Sequence, residues 1–140
     1  MTNVHENLES ITVEAAAYFV DAKWAESENR SIEGVLAARL CSACMGKVGN
    51  KGSSVAADHI KQIARCCSKK EDFIDAAMPL QEIVFRVLLK GGNKPMKLSV
   101  IHHVLAEEWA LPTHPMNMGV EALKQILDRD QFYGFVALGD

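Results

Sequence analysis

The segment from Arg39 to Lys70 constrains the fold most, because a cluster of glycines interrupts the helical pattern of the chain there. Gly46, Gly49 and Gly52 fall within seven residues. Each glycine inside a helix costs about 1 kcal/mol relative to alanine, so one helix must end before this cluster and another must begin after it. The same segment holds all four cysteines of the chain.

Positive charge is concentrated in the same segment. Residues 39–70 carry seven lysines and arginines against one acid, whereas residues 1–38 carry seven acids and two bases, and residues 71–140 carry ten acids and six bases. The formal net charge of the whole chain is −3, which argues against a protein that coats nucleic acid with its entire surface. The distribution favours one localised binding site for phosphate or another anion.

The composition is that of an ordinary folded protein. Hydrophobic residues make up 49% of the 140 residues and charged residues 24%, enough for one core or for two small lobes that share an interface. The longest apolar run, residues 15–20, is too short to cross a bilayer, and the acidic N-terminus does not have the pattern of a signal peptide. We therefore expect a cytoplasmic protein without membrane contact, in which the cysteines are reduced thiols or metal ligands rather than disulfides.

Apolar residues at three- and four-residue steps predict two helices before the glycine cluster. The first covers residues 6–28, and its acidic outer face is typical of a solvated surface, with a docking surface for a basic partner as the alternative. The second is capped by Ser31 and runs into Cys41 and Cys44. Together they predict an N-terminal helical lobe over residues 1–78.

Serines predict the two helices that follow the glycine cluster. Ser53 or Ser54 caps a helix whose buried face ends at Cys67. Ser68 and Glu71 have the spacing of a capping box, which predicts a further short helix there.

The C-terminal half, residues 79–140, has a different order of elements. Pro79, Ser99 and Asn117 are typical of helix starts, and a proline-rich turn covers residues 111–115. The predicted order is helix 79–90, strand 95–98, helix 100–110, helix 118–129 and strand 133–138.

This order of helix, strand, helix, helix and strand resembles the winged-helix variant of the helix-turn-helix domain. The family places its third helix in the major groove of DNA, which implies that Lys124 lies near phosphate. The second wing strand is missing unless the neighbours of Leu98 pair with residues 133–138. The residues that the resemblance turns towards the bases are Met118, Glu121, Ala122, Gln125 and Arg129.

The cysteines form two close pairs. Cys41 and Cys44 are three apart, whereas Cys66 and Cys67 are adjacent and point to different faces of a helix. If the two helices pack antiparallel, the helical rise separates the pairs by about 18 Å, too far for one ion whose thiolates lie about 2.3 Å away. The pattern favours cysteine as a small core residue, with a metal site or redox chemistry at these four residues as the alternatives.

The glycine cluster and the basic residues around it predict an anion site. Phosphate binds to free backbone amides, lysines and helix N-termini, and this cluster offers all three. A flexible connector is the alternative explanation of the same residues. The residues predicted to contact nucleic acid or another anion are Lys47, Lys51, Ser53, Ser54, Lys61, Arg65, Lys69, Lys70, Lys124 and Arg129.

The predicted fold is mainly α, with an N-terminal helical bundle lobe and a winged-helix-like lobe over residues 79–140 that holds a small β element; one compact domain is the alternative. No group of residues has the pattern of an activated nucleophile or an acid–base pair, so we predict a binding protein, not an enzyme, with no cofactor. The leading hypothesis is nucleic-acid-associated regulation. A protein-interaction or scaffold module is the alternative, a metal or redox sensor is the third, and a homodimer is left open.

Overall fold

A computed structural model describes residues 15–45, 55–109 and 118–138. Helices dominate this part of the chain, with a short 3-10 turn at Cys67–Lys69 and a small sheet. The prediction of a mainly α protein with a small β element is therefore confirmed. The helices are α1 (Ala22–Ser27), α2 (Ile32–Ala37), α3 (Val55–Arg65), α4 (Leu80–Lys90), α5 (Leu98–Glu108) and α6 (Val120–Arg129), and the strands are β1 (Ala17–Val20), β2 (Met96–Lys97) and β3 (Phe135–Leu138).

The sheet joins the beginning of the chain to its end. Its order is β2-β1-β3 and both pairings are antiparallel. In this register Tyr18 lies opposite Met96 on one side and Ala137 on the other. The side chain of Asn93 binds the backbone of β1 at Val20. Its Oδ1 accepts from the Val20 N–H and its Nδ2 donates to the Val20 carbonyl, both at 2.8 Å.

The prediction of one long helix over residues 6–28 is wrong for its described part. Residues 17–20 form β1, and α1 begins only at Ala22, after Asp21 has accepted a hydrogen bond from the Trp24 N–H. A short apolar run fits both the helical and the strand period. Here Tyr18 and Val20 alternate with less buried neighbours, and two partner strands satisfy the backbone.

One continuous core holds the elements together. Tyr18 from β1, Leu36 from α2, Phe85 from α4, Ile101 from α5 and Leu123 from α6 are all fully buried in it. The core therefore includes residues from both halves of the chain. It also includes Cys44 and Cys67.

Local sequence signals fix α4 well. The helix begins after Pro79, whose missing N–H costs nothing at a helix start, and it ends at Gly91. Its buried face is as predicted, with Ile83, Val84 and Leu88 in the core. The cap predicted at Ser99 is wrong, because α5 already begins at Leu98, directly after β2.

The helix predicted from the capping box at Ser68 is also wrong. The Ser68 hydroxyl donates to the Ala64 carbonyl at 2.9 Å, so this serine closes the end of α3 and is not available to cap a new helix. Residues 70–78 follow as turns. Phe73 and Ile74 are buried as predicted.

The C-terminal order of elements, α4-β2-α5-α6-β3, matches the predicted order. The sheet order nevertheless separates β2 from β3, because β1 lies between them. None of the helices in the described ranges has both the length and the apolar character that a bilayer crossing requires. The predictions that lie outside the described residues are the glycine cluster, the caps at Ser53, Ser54 and Asn117, the turn over 111–115, and the positions of Lys47 and Lys51.

Candidate metal centre

The four cysteines lie together where the turn that follows α2 meets the C-terminal end of α3. The Sγ atoms of Cys41, Cys44, Cys66 and Cys67 are all within 4.8 Å of one another. The sulfur of Cys41 is 3.5 Å from that of Cys44 and 3.7 Å from that of Cys66. All four are free thiols; Cys44 and Cys67 are buried, and the other two are partly exposed.

A tight turn positions the first pair. The prediction that the second helix runs into Cys41 and Cys44 is wrong, because α2 ends at Ala37. Beyond it the Cys41 carbonyl accepts from the N–H groups of Cys44 at 2.9 Å and Met45 at 3.1 Å. This turn brings the two sulfurs to the same side and leaves the Cys41 N–H free to bind elsewhere.

A break in helical geometry positions the second pair. The α3 helix ends at Arg65, and Cys66 leaves the helical region with φ −126° and ψ −63°. The 3-10 turn then begins at Cys67. Adjacent cysteines diverge on a regular helix, but this change of direction between them brings both sulfurs into the cluster.

The separation of about 18 Å that helical rise predicts between the two pairs is therefore wrong. That distance assumes that the first pair lies at the end of α3 nearest the glycine cluster. In the structure the first pair lies instead beside the far end of α3, where the Sγ atoms of Cys41 and Cys66 are 3.7 Å apart.

Two hydrogen bonds to sulfur support the cluster from outside. The backbone N–H of Cys41 donates to the Sγ of Cys67 at 3.0 Å, and the Nε2 of Gln62 donates to the Sγ of Cys44 at 3.2 Å. Donors of this kind stabilise thiolate over thiol and orient metal ligands. No sequence pattern indicated a role for Gln62, which lies on α3 one turn before Cys66.

Three of the four cysteines have a pKa that departs from the ordinary value of a thiol. The pKa of Cys41 is lowered to about 7, chiefly because Cys67 donates a hydrogen bond to its sulfur, with Cys44 and Cys66 adding to the effect. The pKa of Cys66 is raised to about 11 through its hydrogen bonds with Cys44 and Cys41. Burial raises the pKa of Cys67 to about 12. A thiolate is thus favoured at Cys41, whereas Cys66 and Cys67 favour the thiol form.

A charged network anchors the first cysteine turn to α4. Arg39, two residues before Cys41, donates to both carboxylate oxygens of Glu82, at 2.6 and 3.0 Å. Arg86 and the Tyr133 hydroxyl donate to the same carboxylate, each at 2.6 Å. Burial alone would raise the pKa of Glu82, but these donors outweigh it and bring the pKa to about 2.

The basic residues predicted to bind nucleic acid are only partly brought together. Lys61, Arg65, Lys69 and Lys70 are exposed on α3 and the turns that follow it. By contrast, Lys124 on α6 is partly buried and forms an ion pair with Asp128 at 2.6 Å. Arg129, the last residue of the same helix, is exposed.

The chain matches no protein-family model, no curated protein and no solved structure.

Proposed function

We propose that this protein binds one zinc ion through Cys41, Cys44, Cys66 and Cys67, and that the ion fixes the turns that carry these residues. The observation that carries the proposal is the convergence of four sulfurs within 4.8 Å of one another. A zinc–sulfur distance of about 2.3 Å gives a tetrahedron whose edges are about 3.8 Å. The sulfur–sulfur distances of 3.5 and 3.7 Å at Cys41 match that size.

The ligand set favours a single soft, tetrahedral ion. Four thiolates select zinc or iron, whereas calcium and magnesium bind through oxygen. An iron–sulfur cluster interposes several irons and sulfides between its cysteines, and it needs thiolates spread more widely than these. Four protein ligands also fill a tetrahedral zinc ion and leave no place for a reactive water, which is typical of a structural centre rather than a catalytic one.

Metal analysis of protein purified without chelator and without a nickel-binding tag tests this proposal. We expect about one equivalent of zinc per chain. Cobalt(II) in place of zinc is expected to give the intense charge-transfer and visible absorption of tetrahedral thiolate coordination. Less than about a tenth of an equivalent of any metal, together with failure to take up cobalt, contradicts the proposal.

Matched variants separate metal binding from general damage. Cys44→Ser removes one ligand, whereas Ser42→Ala changes an exposed residue of the same turn and is expected to keep full occupancy. Thiol titration of the metal-free protein adds a second control. Four titratable thiols are expected there, and rapid loss of thiols in pairs under mild oxidation instead favours a redox role.

A second candidate function is nucleic-acid-associated regulation, which we propose for the same protein because four basic side chains are exposed next to the cysteines. Lys61, Arg65, Lys69 and Lys70 lie on the segment that ends in the 3-10 turn. Exposed lysine and arginine on one segment can make sequence-independent phosphate contacts. With this function we also propose the finer fold, an N-terminal helical lobe with a winged-helix-like lobe over 79–140.

Salt dependence tests the second candidate. We expect binding to unrelated duplex or single-stranded DNA that weakens steeply as salt rises, and that weakens further in the double variant Lys61→Gln with Arg65→Gln. Lys94→Gln, which removes an exposed lysine elsewhere, is the control. Absent or salt-insensitive binding favours the alternative, a protein-interaction module.

A further inference from the structure

A pocket of about 580 Å³ lies where the 3-10 turn meets the C-terminal ends of α4 and α5. Phe73 and Ile74, which are buried, and Trp109, which is half-buried, line it with apolar surface. Its size falls within the range of about 300–1,000 Å³ that is usual for small-molecule sites. An apolar wall with a tryptophan suits a flat ring.

The rest of the lining is mostly basic. Lys69 and Lys70 come from the turn after α3, and Lys90 is the last residue of α4. All three are exposed, and Glu71 is the only acid among the residues that line the pocket. Three ammonium groups against one carboxylate favour an anion over a neutral or cationic ligand.

We propose that this pocket binds a small anion that carries a flat apolar ring, such as an aromatic phosphate or carboxylate. The ring lies against Trp109 and the buried Phe73, and the anionic group lies among the lysines. None of the four cysteines lines the pocket, so the proposed anion does not bind to the zinc ion.

The pocket is nevertheless coupled to the cysteines by the chain itself. Cys67 is the first residue of the 3-10 turn that supplies Ser68 and Lys69 to the pocket. An ion held by Cys66 and Cys67 therefore fixes the basic wall. This coupling rests on the proposed zinc centre, whereas the pocket itself does not.

Tryptophan fluorescence measures binding directly, because the chain has two tryptophans and Trp24 lies outside the pocket. The Trp24→Phe variant of the full chain makes Trp109 the sole reporter. We expect phenyl phosphate to change its emission with saturation. Inorganic phosphate and benzyl alcohol, which each offer only half of the required chemistry, are expected to bind at least roughly tenfold more weakly. Equal affinity for phenyl phosphate and either half overturns the proposal, as does no binding.

Charge variants test the basic wall in the same single-tryptophan background. Lys90→Gln and Lys69→Gln are each expected to weaken phenyl phosphate binding by roughly three- to fivefold, the size of one exposed ion pair. Lys94→Gln removes the same charge outside the pocket and is expected to leave the affinity unchanged. An equal loss in all three variants overturns the proposal, because it points to net charge rather than to a site.

A free aromatic phosphate and the terminal nucleotide of a nucleic acid share this chemistry. Competition against phenyl phosphate by adenosine monophosphate identifies a small-molecule source, and competition by a short oligothymidylate alone identifies a nucleic-acid end. Either result supports the pocket. Competition by neither, at concentrations that saturate phenyl phosphate, restricts the ligand to compact single-ring anions.

Measurement before and after chelation separates this inference from the zinc proposal. Zinc content is determined on the same samples. If zinc is present and its removal weakens phenyl phosphate binding, the coupling stands. If removal leaves the affinity unchanged, the coupling is overturned and the pocket stands. Binding in a protein that never holds zinc contradicts the zinc proposal alone.

Discussion

Two polar clusters are linked by a short stretch of chain, since Arg39 belongs to one and Cys41 to the other, and they differ in one chemical respect. The carboxylate cluster of Glu82, Arg39, Arg86 and Tyr133 contains opposite charges, and its donors lie 2.6–3.0 Å from the two carboxylate oxygens. The thiol cluster contains four groups of the same kind, and ionisation of one opposes ionisation of the others. The first cluster is complete within the chain, whereas the second takes a cation in the function that we propose.

The difference teaches how to distinguish a structural cluster from a binding site. A buried charge with all of its partners in place holds elements together and needs nothing further. A gathering of four thiols offers ligands of one kind, and their joint ionisation becomes favourable when a metal ion binds them.

Loss of the metal is expected to have the largest effect. Structural zinc contributes on the order of 10 kcal/mol of apparent binding free energy, so chelation or Cys44→Ser should lower the thermal midpoint more than any variant named below. Circular dichroism during heating, with and without chelator, measures the change. A midpoint that does not move on chelation of zinc-loaded protein contradicts a structural role for the ion.

Breaking the carboxylate cluster is expected to cost about 3 kcal/mol of unfolding free energy. Glu82→Gln leaves the Arg39 and Arg86 charges without their partner in a largely buried place, and removing one member of a buried pair is strongly destabilising. Urea unfolding at neutral pH measures it. Tyr133→Phe, which removes only one hydrogen bond, is the matched control and should cost about 1 kcal/mol.

Acid should reduce the difference between wild type and Glu82→Gln. The folded pKa of Glu82, about 2, lies below its ordinary value of 4.5, so the carboxylate stabilises the fold fully above pH 4.5 and loses this contribution as pH falls towards 2. Urea midpoints of metal-free wild type and variant, compared at pH 6 and pH 3, test this. A difference that grows on acidification contradicts the ion-pair account.

Removal of the hydrogen bond from Gln62 to the thiol cluster should have a smaller effect than loss of the metal. Gln62→Met keeps the length and helix propensity of the side chain but removes the donor to Cys44 Sγ. We expect zinc affinity to fall by about tenfold, the lower end of the effect of outer-shell partners. Competition with a chromophoric chelator measures this affinity. Gln81→Met on α4, outside both clusters, is the control and should leave it unchanged.

The surface ion pair between Lys124 and Asp128 should matter least. Both side chains are at least a third exposed, and such i,i+4 pairs contribute about 0.5 kcal/mol or less. Lys124→Ala should therefore change the urea midpoint only slightly and leave zinc content unchanged. A loss of unfolding free energy comparable to that of Glu82→Gln would show that the greater exposure of the Lys124–Asp128 pair does not make it weaker than the Glu82 ion pairs.

Local signals predicted α4 and the order of the C-terminal elements, whereas the predictions of a helix over 6–28 and of a helix at Ser68 are wrong. Pro79 and Gly91 bracket α4 because both act on the residues beside them. The strand character of residues 17–20 depends on partners at 96–97 and 135–138, which periodicity within the run does not reveal.

The candidate metal centre could not be predicted from the sequence for a related reason. Whether Cys41 and Cys66 meet depends on where α2 ends and on where α3 breaks, and the boundaries of elements are the least predictable part of a sequence. In the carboxylate cluster, Arg86 is four residues after Glu82 and could have been noticed. Arg39 and Tyr133 come from distant parts of the chain and gave no local signal.

The place of β1 has a consequence for how the protein is made. This strand is synthesised before both of the strands that flank it, which follow at residues 96–97 and 135–138. During translation the backbone N–H and carbonyl groups of β1 must therefore wait for these partners. Pairing over such sequence separations is slow and leaves apolar strand edges exposed in the meantime, so we expect the nascent chain to be vulnerable to aggregation until β3 emerges.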